Sequence, residues 1–267
     1  MENPFVFGLL VSALLLPAAS VSAQGAEADG LAPVATCIES NIPRTSSEQV
    51  IEFTTVDRIG GQRVSRAKII AKRFEDGKRR LLLRFTKPIE MRGSALLIIE
   101  TERGANDMFL YSPELRKVKR VTSDSSGGSL FGTDFTYEDF ERWQLLNKPG
   151  RRARLPDATV AERAVYVMET LPDTGAGSSY EKVISYIDRD TCVVLKTESF
   201  ENGKRLRKVL TASPASVIEQ SGIHVASEIR MEDVRDETHT DVIVEDLEVD
   251  HEISDSEFTI SRLTRRR

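Results

Sequence analysis

Residues 62 to 86 read QRVSRAKIIAKRFEDGKRRLLLRFT. Two runs rich in apolar and β-branched residues, Gln62 to Phe74 and Arg79 to Thr86, flank Glu75-Asp76-Gly77-Lys78. Asp-Gly between such runs is a hairpin signal, because a tight turn needs positive φ at its centre. A tight turn in turn forces antiparallel pairing. The same grammar repeats outward. Val50 to Arg58 ends at Gly60-Gly61, Ser94 to Glu102 and Asp107 to Ser112 flank Gly104-Ala105-Asn106, and Lys117 to Thr122 adds a short strand. Further on, Glu162 to Leu171, Tyr180 to Asp188, Thr191 to Phe200 and Arg205 to Ala212 read as strands, with Glu201-Asn202-Gly203-Lys204 as a second hairpin turn. Ile223 to Val234 and Thr238 to Val249 form the last pair, and Asp255 to Phe258 reads as a helical turn. The helix–strand alternation of parallel α/β folds is missing. The pattern predicts a mainly β domain: one antiparallel meander, curved into an open sheet or partial barrel, spanning residues 33–267.

The chain has 267 residues, 40% hydrophobic and 30% charged, a balance that excludes a collagen-like or wholly disordered chain. A net charge of -5 gives no global excess of cations toward nucleic acid. Phe5 to Leu16 is apolar except for Gly8 and Ser12, and Val21 and Ala23 form a small-residue cleavage pattern. The run is too short to span a bilayer. Residues 1–23 therefore read as a signal peptide, the alternative being a buried N-terminal helix, and 24–32 as a small, polar linker. Position 24 is Gln, so no lipobox follows. The mature chain is expected outside the cytoplasm.

Cys37 and Cys192 are the two cysteines. In an oxidising compartment an even count permits a disulfide, the alternative being two separate buried thiols. Charge is uneven: residues 58–120 hold 17 Lys or Arg against 7 Asp or Glu, and residues 213–260 hold 2 against 14. This is a basic face for an acidic partner or lipid headgroup, or two solvated strand faces opposite one another.

Catalytic signatures are scarce. No G-x-S-x-G, Walker loop, dinucleotide fingerprint or H-E-x-x-H occurs. His224, His239 and His251 sit in the acidic region, where solvent-facing strand positions explain them without a metal. Asp134, Glu138 and Asp139 could be paired acids of a hydrolase. They are more simply the start of a helix capped by Thr136. No cofactor or metal is expected, nor an enzyme. The informative stretch is Ser123 to Trp143, SDSSGGSLFGTDFTYEDFERW, with Phe131, Phe135, Tyr137, Phe140 and Trp143 beside Gly127, Gly128 and Gly132. Such a segment either lids an apolar cavity or plugs the end of the sheet.

Phe109 to Val121, FLYSPELRKVKRV, followed by Phe131 to Asp139, FGTDFTYED, resembles the outer-membrane lipoprotein-sorting family of LolA-like proteins. Arg92 to Leu97, RGSALL, fits the same family. Ser112 departs from it, where Leu usually precedes the Pro. The resemblance spans roughly Cys37 to Leu263. It implies an incomplete, strongly curved antiparallel half-barrel with short lid helices, and a periplasmic carrier of lipid or lipoprotein acyl chains between inner and outer membranes. An accessory or adaptor protein of an RND-type envelope lipid exporter is the alternative. The expected cavity and lid residues are Phe131, Phe135, Tyr137, Phe140, Phe109 and Tyr111. Arg116, Lys117, Lys119 and Arg120 are expected to meet a partner, either an inner-membrane RND-type transporter or an outer-membrane acceptor. The protein is expected to act as a monomer without nucleic acid. N-terminal sequencing of exported protein should start at Gln24; a retained Met1 would contradict the signal peptide.

Overall fold

The computed structural model describes residues 23–102, 106–122, 125–146, 149–173, 177–201 and 204–264, with backbone alone over 23–29. The apolar run 5–16, the Gly104-Ala105 turn and Asn202-Gly203 lie outside the described residues. Helix α1 (Ala23–Ser40) leads into β1 (Ser46–Val56), β2 (Gln62–Arg73), β3 (Arg79–Lys87), β4 (Ala95–Ile99), β5 (Asp107–Ser112) and β6 (Lys117–Val121). Helix α2 (Tyr137–Trp143) precedes β7 (Gly150–Val160), β8 (Arg163–Pro172), β9 (Lys182–Asp188), β10 (Val194–Glu201) and β11 (Arg205–Ala212). Then come β12 (Val217–Gln220), β13 (Ile223–Ala226), β14 (Glu228–Asp233), β15 (Thr238–Val249) and α3 (Ile260–Leu263). The stretch 24–32, expected as a linker, has helical backbone in α1.

Thirteen strands form one sheet in the order β6-β5-β4-β3-β2-β1-β15-β14-β11-β10-β9-β8-β7. Every pairing is antiparallel and the sheet does not close. The order departs from a single running meander at two places. The first strand pairs with the last, Phe53 opposite Val242, so β1–β6 and β7–β15 are two wings joined along the β1–β15 seam. Between β11 and β14 the chain leaves the sheet as a separate hairpin, β12–β13. Consequently the free edges β6 and β7 are consecutive in sequence, and residues 122–149 must cross from one to the other.

Strands β3 and β4 carry unbroken apolar runs, Leu81 to Leu83 and Ala95 to Ile99, because both faces of the sheet are covered there. Leu81, Leu83, Phe85, Leu96 and Ile98 point into the main core on the concave side. Leu82, Ala95 and Leu97 point to the convex side, where Ile253, Phe258 and Leu263 of the C-terminal segment pack on them. The charge tracts meet across β1: Arg66 lies 3.3 Å from Glu52 and also pairs with Glu245, Lys68 pairs with Glu48, and Lys72 lies 2.6 Å from Asp255. Of these pairs, Arg66–Glu245 and Lys72–Asp255 join the two tracts, while Glu48 and Glu52 belong to β1 between them. Each such half-exposed pair contributes only about 0–1 kcal/mol.

Helix α1 packs on β7 and β8, with Val34 and Cys37 against Ile187. Cys37 and Cys192 form a disulfide across 155 residues. The turn that carries Cys192 is organised by Asp188, which accepts from the backbone N–H groups of Asp190 at 2.8 Å and Thr191 at 3.0 Å and from Arg163 Nε at 2.7 Å. Burial alone would raise this carboxyl; Arg163 and the two amides outweigh it and hold Asp188 below the usual carboxylate range. A depressed folded pKa stabilises above the unfolded value, near ~3.9 for Asp, and that stability disappears as pH falls through the folded value. Urea titrations across this acid range should show a shallower loss for Asp188→Asn than for the parent; parallel acid limbs would contradict the assignment. Replacing both cysteines with serine should cost up to about 5 kcal/mol in the chain-entropy account of a long loop, read as a lower urea midpoint without reductant.

Candidate functional site

The segment joining β6 to β7 folds back into the concave face. Its tip turns at Phe131 and Gly132, with φ of 51° and 77°. Gly132 is favoured by its φ, which disfavours a side chain, and its carbonyl accepts from Arg63 Nη2 at 2.6 Å. Leu130 N–H then donates to the Phe135 carbonyl at 2.8 Å, closing the tip. Thr136 caps α2: its hydroxyl accepts from Asp139 N–H at 3.0 Å, and Asp139 Oδ2 accepts from Thr136 N–H at 2.9 Å.

The carboxylates of this block hold the segment to the sheet. Asp134 N–H donates to Thr240 Oγ1 at 2.9 Å, while Thr240 Oγ1 donates to Asp134 Oδ2 at 2.6 Å and Thr238 donates to Oδ1. Asp139 accepts from the Tyr180 hydroxyl at 2.9 and 3.0 Å and lies 3.5 Å from Lys208 Nζ, which also donates to the Asp134 carbonyl. Lys208 is itself buried and lies 3.9 Å from Asp233. Glu138, with no exposed surface, accepts from Ser178 at 2.5 Å, Ser179 N–H at 3.0 Å and Arg142 at 2.6 Å. Burial first, then the charge and hydrogen bond of Asp139, push the Tyr180 hydroxyl well above its ordinary value, so it stays a donor. Asp134, Glu138 and Asp139 are thus anchors, each oriented by donors of the sheet and neighbouring loops.

Around this polar block the aromatics complete the core. Phe135 and Phe140 have no exposed surface, and Tyr137 is buried. Phe135 packs edge-on to Phe53 at 6.4 Å and beside Trp143 at 5.4 Å, and Phe131 meets Phe85 at 4.8 Å. Phe109 and Tyr111 fall elsewhere. Alternation along β5 turns Met108 and Leu110 to the concave core and Phe109 and Tyr111 to the convex cluster with Phe258. Arg116 sits in the β5–β6 turn, and Lys117, Lys119 and Arg120 lie exposed on edge strand β6, with Arg120 paired to Asp107.

Next to this plug lies a cavity of about 760 Å³. Leu31, Ala35 and Ile38 of α1 form one side, with Met168, Ile187 and Leu210 of the second wing, and Ile223 and Val225 of β13, on others. The end of α2 supplies Trp143 and Leu146, and polar groups include Thr170, Ser185 and Arg152. None of the six expected lid residues is in this wall; Trp143 is the plug aromatic that reaches it. Sequence reading missed α1 as a cover. The apolar Leu31, Val34 and Ile38, at helical spacing, were the signal available. Among the described residues no group of three or more His, Cys, Asp or Glu is placed to hold a metal ion.

The architecture is an open antiparallel half-barrel with a helix over its hollow, and solved structures of other proteins share it. A putative outer membrane lipoprotein-sorting protein domain from Vibrio parahaemolyticus superposes with a TM-score of 0.80 at 22% identity, covering 90% of this chain and 100% of that one. A DUF1329 family protein from Desulfovibrio piger gives 0.79 at 22% identity, covering 89% and 98%. A LolA superfamily protein from Nitrosomonas europaea gives 0.66 at 17% identity, covering 87% and 98%. No curated protein matches the sequence. A family model described as "uncharacterized protein" matches residues 77–265, and the chain belongs to that family, whose fold here is that of the LolA-like lipoprotein-sorting group.

If the plug is core, Phe135→Ala should cost about 3–5 kcal/mol of stability, as for a fully packed Phe. Urea unfolding measures it. A loss below about 1.5 kcal/mol, the scale of a volume-conserving swap, would mean that Phe135 faces a fillable hollow instead.

Proposed function

We propose that this protein is a periplasmic carrier that holds lipid or lipoprotein acyl chains in the cavity under α1 and passes them between inner and outer membranes. The observation that carries the reading is the cavity: about 760 Å³, with aliphatic side chains of α1, the second wing and β13 on one part of its wall and polar groups of the first wing, Ser47, Gln49 and Lys72 among them, on another. That volume falls within the range of about 300–1,000 Å³ typical of small-molecule sites. Each methylene moved from water into such a wall gains about 0.8 kcal/mol, so a few buried methylenes suffice for retention and release. The names of the solved relatives, lipoprotein-sorting and LolA superfamily, support the same class of cargo.

In this reading the plug is a fixed floor. The movable part is the β12–β13 hairpin, which meets the residue after the tethered α1 where Asn41 donates to the His224 carbonyl at 2.9 Å and accepts from His224 N–H at 2.7 Å. No catalytic step is assigned to the carboxylates of the plug, whose oxygens are engaged in holding it. The adaptor role beside an RND-type exporter is an outcome of the same test. Organic extraction and native mass spectrometry of purified protein should find acyl lipid in a fixed ratio. Ala35→Trp, at an exposed position on the cavity side of α1, should lower that ratio several-fold, about the tenfold carried by 1.4 kcal/mol of lost contact, with unchanged melting. Lipid-free wild-type protein would favour the adaptor.

A further inference from the structure

The three most exposed large apolar side chains among the described residues are Ile59 at 90%, Ile89 at 67% and Leu115 at 54%. They occupy three successive connections, β1–β2, β3–β4 and β5–β6. The register places all three at one end of the first wing: Val56 pairs with Gln62, Arg84 with Ala95, and Ser112 with Lys117. Neighbouring hairpins are two strands, about 10 Å, apart. The second and third connections lie close together: a Cβ added to Gly93 would sit 3.5 Å from Pro113 Cγ.

Each tip is built to present its apolar residue. Asp57 turns its carboxylate inward to accept from Ile59 N–H at 3.0 Å and Gly61 N–H at 2.8 Å, which leaves Ile59 at the apex. In the β3–β4 loop Met91 packs on the core while Ile89 points out. Cations flank every tip: Arg58 and Arg63, Lys87 and Arg92, Arg116 and Lys117. Among the described residues Arg58, Lys87, Arg92, Arg116 and Lys117 form no ion pair. The acids beside them are Asp57, already used in its turn, Glu90 and Glu114. The β14–β15 turn of the second wing differs: there Arg235 sits with Asp236 and Glu237, and it carries no cationic excess.

We propose that this rim docks the protein on an anionic phospholipid bilayer, with Ile59, Ile89 and Leu115 entering the interface and the flanking cations meeting lipid phosphates. Isolated apolar tips spaced about 10 Å apart and ringed by cations suit a soft, charged interface. A protein partner of ordinary size would instead bury a continuous apolar patch. The cavity includes Ser46 and Ser47, at the opposite end of β1 from Ile59, so a docked rim leaves the α1 end free. The inference stands whether or not the cavity carries lipid.

Flotation of the exported, purified protein with vesicles tests it. Binding to phosphatidylglycerol–phosphatidylcholine vesicles should exceed binding to phosphatidylcholine alone and weaken as salt rises. The triple variant Ile59→Ser, Ile89→Ser, Leu115→Ser should lose far more than tenfold in partition, one fully buried Ile or Leu alone being worth about tenfold, with unchanged melting. Arg58→Gln with Arg92→Gln and Lys117→Gln should remove the preference for anionic vesicles. Equal binding to both vesicle types, or a triple serine variant that binds like wild type, would overturn the proposal. Salt-sensitive binding to polyglutamate without vesicle binding would also overturn it and identify an acidic protein as the partner.

Discussion

A sheet whose two free edges are consecutive in the chain has to be bridged by the residues between them. In this protein the bridge turns inward, and one buried cation holds it there. Lys208 stands on β11 near Asp139 of α2 and Asp233 of β14, and donates to the Asp134 carbonyl. Charges so far from water are tolerable only when paired and hydrogen-bonded, and removing one partner typically costs about 3–5 kcal/mol. The plug and the second wing are therefore mutually dependent. The plug gives the carboxylate that Lys208 needs, and Lys208 fixes the plug in a single position against the Thr238 and Thr240 hydroxyls.

That arrangement explains why so much of the hollow is full. Phe135, Phe140 and Trp143 occupy the concave side of the first wing, with Phe53 and Phe85 beneath them. The cavity of about 760 Å³ lies beyond the end of α2, toward the second wing, where Met168, Ile187 and Leu210 share its wall with α1. Helix α1 packs on β7 and β8 of the second wing and is tied there through Ile187 and the Cys37–Cys192 bridge. The cover of the cavity thus rests on a covalent tie, while its floor rests on buried polar groups.

Much of the fold was legible because its local signals are strong. Asp76-Gly77, with φ of 77° at the glycine, turns β2 into β3 as read. Thr136 caps α2 as read, with Glu138 and Asp139 in its first turn. What escaped had weak or misleading signals. Strand β7 was missed because GRRARLPDATV does not alternate, and its Pro156 sits at an irregularity of an edge strand. Its turn into β8 uses Ala161 and Glu162 at positive φ, without a glycine. The run Ile223 to Val234 was read as one strand but divides at Ser227, which donates to Ser216 and begins the return to the sheet. In the site, aromatic clustering located the plug but could not say which face of β5 Phe109 and Tyr111 take. That depends on the C-terminal segment, some 140 residues later in sequence, arriving with Phe258.

The most direct test of the account is backbone hydrogen exchange on Lys208→Met, compared with wild type under native conditions. If Lys208 couples the plug to the second wing, amides of residues 129–143 and those of β11, β14 and β15 should lose protection together, by a similar factor. If the plug keeps its protection while only β11 loosens, or the plug already exchanges in wild type far faster than the sheet, Lys208 is not the interaction on which the structure depends.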